Sequence, residues 1–246
     1  MRLRRVDLRP SQATVHEAPT VAVYDMDGVI TTGDTFVRYM HTRAPRMRPR
    51  AAVRFVRSVH EDRRSGLPLT RRFMLVRASV LAALEGVPEQ TYLAQVADLT
   101  SQWVKESGWI RWDVVEEMRE RRSAGMLVVV ATACEDRLAA ALLEAAKVPY
   151  DVLSASVVDS CGVGKWVIRD YRIGEFKAIA LERAGIELAC AVLTTDSLTD
   201  LPTARRCQWT WVVCSPSSRL PNRLRAAGAN AARRLPMSSN RPTAAE

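Results

Sequence analysis

The stretch VAVYDMDGVITTGDT, residues 21–35, runs from four apolar or aromatic residues straight into an acidic pair, Asp25 and Asp27. Aspartate is a weak strand former and a carboxylate is costly to bury, so a strand that stops in acid needs a reason. Side chains two apart on a strand share a face, which sets both carboxylates on one side of the strand end. There they can hold a cation, or divide nucleophile and acid work between them. An isolated Asp-x-Asp arises readily by chance at ordinary composition, so the rest of the chain has to decide.

Outward from this stretch the pattern alternates. RWDVVEEMRERRSAG reads as a helix closed by Gly125, MLVVVATA as a buried strand, EDRLAAALLEAAKV as a helix and YDVLSAS as a strand. SVVDSCGVGKWVIRDYRIG then reads as a hairpin, EFKAIALERAG as a helix stopped by Gly185, ACAVLTT as a strand, LTDLPTARR as a helix and WTWVVCS as a strand. Continuously apolar strands separated by helices imply an α/β fold, a Rossmann-like parallel sheet covered by helices on both faces. In such sheets ligands bind beyond the carboxyl ends of the strands, so other reactive residues are expected at other strand ends.

They are there. LVVV ends at Ala131 and Thr132, where a hydroxyl and the N-terminus of the next helix would form a phosphate cradle. AVLTT runs into DSLTDLP, with Asp196 and Asp200. Lys177 falls in the first turn of its helix, where a cation opposes the helix dipole and is unfavourable for stability alone. Each residue has an ordinary alternative, Thr132 and Asp196 as helix caps and Lys177 as a solvated lysine. Their shared location is what favours chemistry.

Between the acidic stretch and this alternation, residues 36–110 carry helical stripes and no clear strand. Ala52, Phe55, Val56 and Val59 form one stripe, Phe73, Val76, Val80 and Leu84 a second from a Thr70 cap, and Tyr92, Val96, Leu99 and Trp103 a third after Pro88. The expected organisation is a basic leader (1–19), an α/β core (20–35 and 111–234), an inserted all-helical cap (36–110) and a disordered tail (235–246).

The net charge of +9 is concentrated. Residues 41–77 hold eleven arginines, one Asp and one Glu, so the rest of the chain is close to neutral. Such a patch suits an anionic partner: a phosphorylated substrate, or a transient contact with an anionic membrane surface. With Phe55 and Phe73 the only aromatics there, nucleic acid is disfavoured. The five cysteines lack metal-ligand spacing and read as buried free thiols of a reducing compartment. Without an apolar signal segment or membrane-length run, a cytoplasmic location is expected. Oligomeric state is not legible.

DMDGV, the Thr132 that follows a buried strand, GEFK and DSLTDLP together resemble the four motifs of the haloacid dehalogenase-like phosphohydrolase superfamily. GDTF after the first motif, with the helical insert, resembles its phosphoserine-phosphatase-like subgroup. The resemblance implies a phosphatase, with Asp25 as nucleophile and Asp27 as acid and then base. It makes Thr132, Ala133 and Lys177 holders of the phosphoryl oxygens, and Asp34 an acidic contact for a substrate amine. Asp25, the Asp27 main-chain carbonyl and Asp196 would bind Mg²⁺, and Asp200 would orient Lys177. The implied substrate is a small phosphorylated metabolite, phosphoserine or another amino-alcohol phosphate. Three departures stand out: Val29 for a usual Thr, Thr195 for a usual Gly, and Cys134 where Ser is frequent. A misfit at Thr195 that loosens Asp196 would favour the alternative, an inactive binding module that uses the Arg-rich insert to engage lipid or nucleic acid.

Overall fold

The computed structural model describes residues 18–43, 69–162 and 164–235, with the single positions 45, 49 and 53. The leader to residue 17, the tail from 236, the helical stripe at 52–59 and the Phe73 side chain lie outside the described residues, as does most of the arginine-rich stretch; the helix expected to be capped by Thr70 begins one residue earlier, at Leu69, so Thr70 lies within it.

The strands in chain order are β1 (Val21–Tyr24), β2 (Leu127–Glu135), β3 (Val152–Ser160), β4 (Trp166–Asp170), β5 (Ala191–Thr195), β6 (Trp209–Val212) and β7 (Arg233–Arg234). They form one sheet of order β4-β3-β2-β1-β5-β6-β7, parallel throughout except for β4, which returns antiparallel beside β3 as the hairpin pattern implies. β1 is central because it is buried on both faces. Ala22 and Tyr24 belong to one apolar cluster, Val21 and Val23 to the other. The same split divides Val128 and Val130 from Val129 and Ala131 on β2. Burying a side chain of this size contributes about 1.5–3 kcal/mol, so a strand apolar on both sides is driven to the middle of the sheet.

The described helices are α1 (Thr35–Arg43), α2 (Leu69–Leu84), α3 (Glu89–Trp103), α4 (Trp112–Ser123), α5 (Asp136–Ala145), α6 (Glu175–Arg183), α7 (Leu201–Arg206) and α8 (Leu220–Ala226). Helices α1 to α5 supply the first cluster, through residues such as Tyr39, Leu84, Tyr92, Met118 and Leu142. Helices α6 to α8 supply the second through Leu181, Ala204 and Leu224. The sheet is thus covered on both faces. Pro88 sits one residue before α3, as its N-cap. No helix among the described residues is long and apolar enough to cross a membrane.

Two readings are corrected. The helix read as EDRLAAALLEAAKV is found from Asp136, with Glu135 as its N-cap accepting the Leu138 N–H at 2.8 Å, but the Thr132 hydroxyl expected beside its N-terminus is separated from it. The cause is a bulge: β2 pairs Ala131 with Ser154, then Glu135 with Ser156, so the three residues Thr132–Cys134 stand where β3 has only Ala155. All five cysteines are free, but only Cys134 and Cys207 are buried; Cys161 is exposed between β3 and β4.

Candidate active site

The register sets the site. Tyr24 is level with Val130 on β2 and with Thr194 on β5. Asp25 follows at the central strand's carboxyl end, its N–H donating to the Thr194 carbonyl at 2.9 Å. The Thr132 bulge and the Thr195–Asp196 turn therefore flank it on either side.

Lys177 arrives from α6 and is almost fully buried. Its Nζ lies 3.1 Å from Asp25 Oδ1 and 2.6 Å from Asp200 Oδ1. Asp25 Oδ1 also accepts the Met26 N–H at 2.9 Å. Burial alone would lower the Lys177 pKa; the charges of Asp200 and Asp25 outweigh it and hold the ammonium protonated above its ordinary range. Burial, then the Asp200 charge, push the Asp25 carboxyl well above the usual carboxylate range, with Lys177 pulling against them. A lysine in a first helical turn is explained by this pairing.

Asp27 stands beside this cluster and is held from α1. Its Oδ1 accepts the Thr35 N–H at 2.8 Å and the Thr35 hydroxyl at 2.6 Å. Burial and the Asp34 charge raise its pKa to about 7, against the two Thr35 bonds. Thr35 had no assigned role in the sequence; the signal was a hydroxyl opening a helix eight residues beyond the acid. Asp34 itself is exposed at the N-terminus of α1, its Oδ1 accepting the Val37 N–H at 2.7 Å. Thr132 is fully buried, and its Oγ1 accepts the Cys134 N–H at 3.0 Å.

Asp196 is raised to about 6 by burial and by the Asp200 charge, while Lys177 and Arg111 lower it. Its approach to the first loop depends on Gly28. At φ +78°, a Cβ on Gly28 would lie 1.8 Å from Asp196 Oδ2. Thr195 does not dislodge this turn. Its hydroxyl donates to Asp200 Oδ2 at 2.7 Å and accepts the Ser197 N–H at 3.1 Å, so it is built into the network. Val29 is fully buried in the first apolar cluster and serves packing.

Among the described residues, no group of three or more acid, histidine or cysteine side chains is arranged as a metal cage. The donor set named by the sequence is different: two carboxylates, Asp25 and Asp196, and one main-chain carbonyl. Oxygen donors of this kind suit a hard divalent cation. The missing Cβ of Gly28 makes room for Asp196 against the loop, and the carboxylates outnumber the buried lysine, so the residues fit such an ion. Gly28→Ala is expected to destabilise the protein by about 1–3 kcal/mol, read by thermal unfolding.

Glu135 escaped the sequence reading. It is buried between α3 and the start of α5, where the Tyr92 hydroxyl of α3 donates to Oε2 and Arg137 Nε donates to Oε1 at 2.6 Å. Arg137 also meets Glu89 of α3 and the Val158 carbonyl. This network fastens α3 to the segment that follows the Thr132 bulge. Tyr92→Phe removes a donor from a buried carboxylate and is expected to cost about 1.5–3 kcal/mol in urea unfolding.

The family model for haloacid dehalogenase-like hydrolases matches residues 22–205. The chain belongs to that family. No curated protein matches it. Among solved structures, a protein of unknown function from Bordetella pertussis Tohama I is similar over 88% of this chain and 99% of its own, with 19% identity and a TM-score of 0.64. A phosphoserine phosphatase carrying an analogue of its phospho-aspartyl intermediate is similar over 88% of this chain and 93% of its own, with 14% identity and a TM-score of 0.56. Cytosolic 5′-nucleotidase IIIB bound to cytidine is similar over 86% of this chain and 80% of its own, with 11% identity and a TM-score of 0.60. At these identities the likeness is one of fold.

Proposed function

We propose that the protein is a Mg²⁺-dependent phosphomonoester hydrolase working through an aspartyl-phosphate on Asp25. The observation that carries this reading is the buried Lys177 ammonium bridging Asp25 and Asp200 at the end of the central strand. A phosphoserine phosphatase of the same fold with a phospho-aspartyl intermediate analogue supports the covalent route.

Asp25 Oδ1 is tied to Met26 and Lys177, so Oδ2 is the oxygen offered for attack on phosphorus. As the new P–O bond forms, the bond to the ester oxygen breaks and Asp27 gives its proton to the departing alkoxide. A pKa near 7 suits a group that must hold that proton and then take one back. Ionised Asp27 next accepts a proton from the water that attacks phosphorus, which releases phosphate, restores the Asp25 carboxylate and reprotonates Asp27.

Lys177, Thr132 and the Ala133 main chain hold the phosphoryl oxygens, and Asp200 keeps Lys177 aimed at them. Asp34 accepts a hydrogen bond from the departing alcohol's own polar group, an amine in the phosphoserine-like and amino-alcohol substrates this reading favours. Asp25, the Asp27 carbonyl and Asp196 would hold Mg²⁺. When bound, the ion supplies positive charge that offsets repulsion between an anionic nucleophile and an anionic ester. Residues 36–110 act as a helical cap, whose arginine-rich part makes at most transient contact with anionic membranes, in a cytoplasmic protein.

Phosphate release from a panel of small phosphomonoesters, with Mg²⁺ or with EDTA, tests the reading. Turnover that EDTA stops and added Mg²⁺ restores is the expected result. Release indifferent to EDTA, or none from any ester, would contradict it.

A further inference from the structure

Thr195 closes β5, and its hydroxyl works in two directions. It donates to Asp200 Oδ2 at 2.7 Å and accepts the Ser197 N–H at 3.1 Å. The Ser197 carbonyl lies further off, at 3.4 Å, so the hydroxyl proton goes to the charged oxygen, the stronger acceptor. The residue is fully buried and its main chain is fixed in the sheet. Thr195 is level with Val212 on β6, and its carbonyl accepts the Val213 N–H at 2.9 Å. A β-branched side chain on such a strand is stiff about χ1, which holds the hydroxyl in one place.

Asp200 ends the short turn that follows β5 and is also fully buried. Its two oxygens meet two donors, the Lys177 ammonium at 2.6 Å from Oδ1 and the Thr195 hydroxyl on Oδ2. A carboxylate held through one oxygen can still rotate; held through both, its plane is fixed. Lys177 reaches this point from α6 along a flexible four-carbon stem, so its ammonium sits where Asp25 and Asp200 place it. Without the hydroxyl, Oδ2 becomes a buried charged oxygen that has lost its donor, a costly state that the carboxylate relieves by turning. The ammonium paired with Oδ1 turns with it, away from Asp25.

We infer that Thr195 is a positioning residue for phosphoryl transfer, an assignment that rests on the phosphomonoesterase reading. Its hydroxyl fixes Asp200, and through Asp200 the Lys177 ammonium against the nucleophile. The line of contacts runs from the β5–β6 ladder through Thr195 Oγ1, Asp200 and Lys177 Nζ to Asp25 Oδ1. Misplacing a catalytic group by about 1 Å can cost about 10²-fold in rate, which sets the scale of the effect.

The test is a double-mutant cycle between Thr195→Val, which keeps the branched shape and removes the hydroxyl, and Asp200→Ala. Activity is kcat/KM per mole of folded protein, on the full chain with Mg²⁺. The substrate is the fastest ester of the phosphomonoester panel, p-nitrophenyl phosphate included. Thr195→Val is expected to lose about 10–100-fold in the wild-type background. With Asp200 already replaced, it should cost less than about 2-fold further, because the contact it serves is gone. Thr195→Ser, which keeps the hydroxyl, should stay closer to the wild type than to Thr195→Val. A role in folding alone would give equal losses in both backgrounds. Should either partner of the cycle yield no folded protein, Thr195→Ala against Thr195→Ser decides by the same criterion. Wild-type activity in Thr195→Val, equal losses in both backgrounds, or a Thr195→Ser closer to Thr195→Val overturns the assignment while leaving the phosphatase reading intact. Absence of release from every ester by the wild type overturns both.

Discussion

Replacing Asp25 with asparagine removes turnover and leaves the metal-free protein at least as stable as the wild type. The loss of activity should reach about 10⁴-fold or more, the scale seen when a covalent nucleophile is deleted. The stability result follows from burial. Asp25 is 8% exposed and its carboxyl titrates well above the usual range, because the protein and Asp200 both resist its charge. An acid whose folded pKa is raised weakens the fold at pH values above its unfolded pKa of about 3.9. Asparagine carries no such penalty, and Lys177 keeps Asp200 as a partner. Thermal unfolding in EDTA should therefore show the variant matching or exceeding the wild type at pH 7.5, with any advantage shrinking as the pH falls toward 4. A large drop in Tm at pH 7.5 would mean that Asp25 serves structure.

Lys177→Met gives the opposite balance. It takes the ammonium away from two carboxylates, one of them, Asp200, fully buried. Breaking a buried pair from one side costs about 3–5 kcal/mol, because the remaining charge is left uncompensated. The wild-type lysine contributes fully below its unfolded pKa of about 10.4, and its contribution fades only as the pH rises through the higher folded value. The whole deficit is thus expected at pH 7.5 in urea unfolding. Toward pH 5 it should narrow, since a protonated Asp25 has less need of the cation. Activity should fall about 10²–10³-fold or more, as for loss of one donor to a developing anion. A variant as stable as the wild type at neutral pH would argue against the bridge.

The contrast between the two variants separates chemistry from support, and the sequence exposed the two unequally. Asp25, Asp196 and Lys177 were legible because a parallel sheet gathers reactive groups at its strand ends and a cation in a first helical turn needs a partner; Asp27 lies in the turn beyond β1, where the strand periodicity that suggested a shared face no longer holds. The sheet was legible because its strands are apolar on both faces. The bulge after Ala131 was not, since ATACEDR reads equally well as a strand passing directly into a helix. Glu135 was hidden for the same reason. An acid ahead of a helix suggests its first turn, and its partner Tyr92 lies 43 residues away in sequence. Thr195 looked like a steric intruder because a hydroxyl's usefulness depends on Asp200 being within reach, which only the folded turn reveals.

The covalent role of Asp25 can be tested most directly by trapping. Enzyme quenched during turnover with Mg²⁺ and its best ester is treated with borohydride, which reduces an acyl phosphate to the alcohol, and the peptide holding residue 25 is read by mass spectrometry. The account predicts conversion of residue 25 to homoserine, dependent on substrate and absent at Asp27. Sustained phosphate release with residue 25 unmodified in quenched enzyme, or the modification found on another carboxylate, would contradict it.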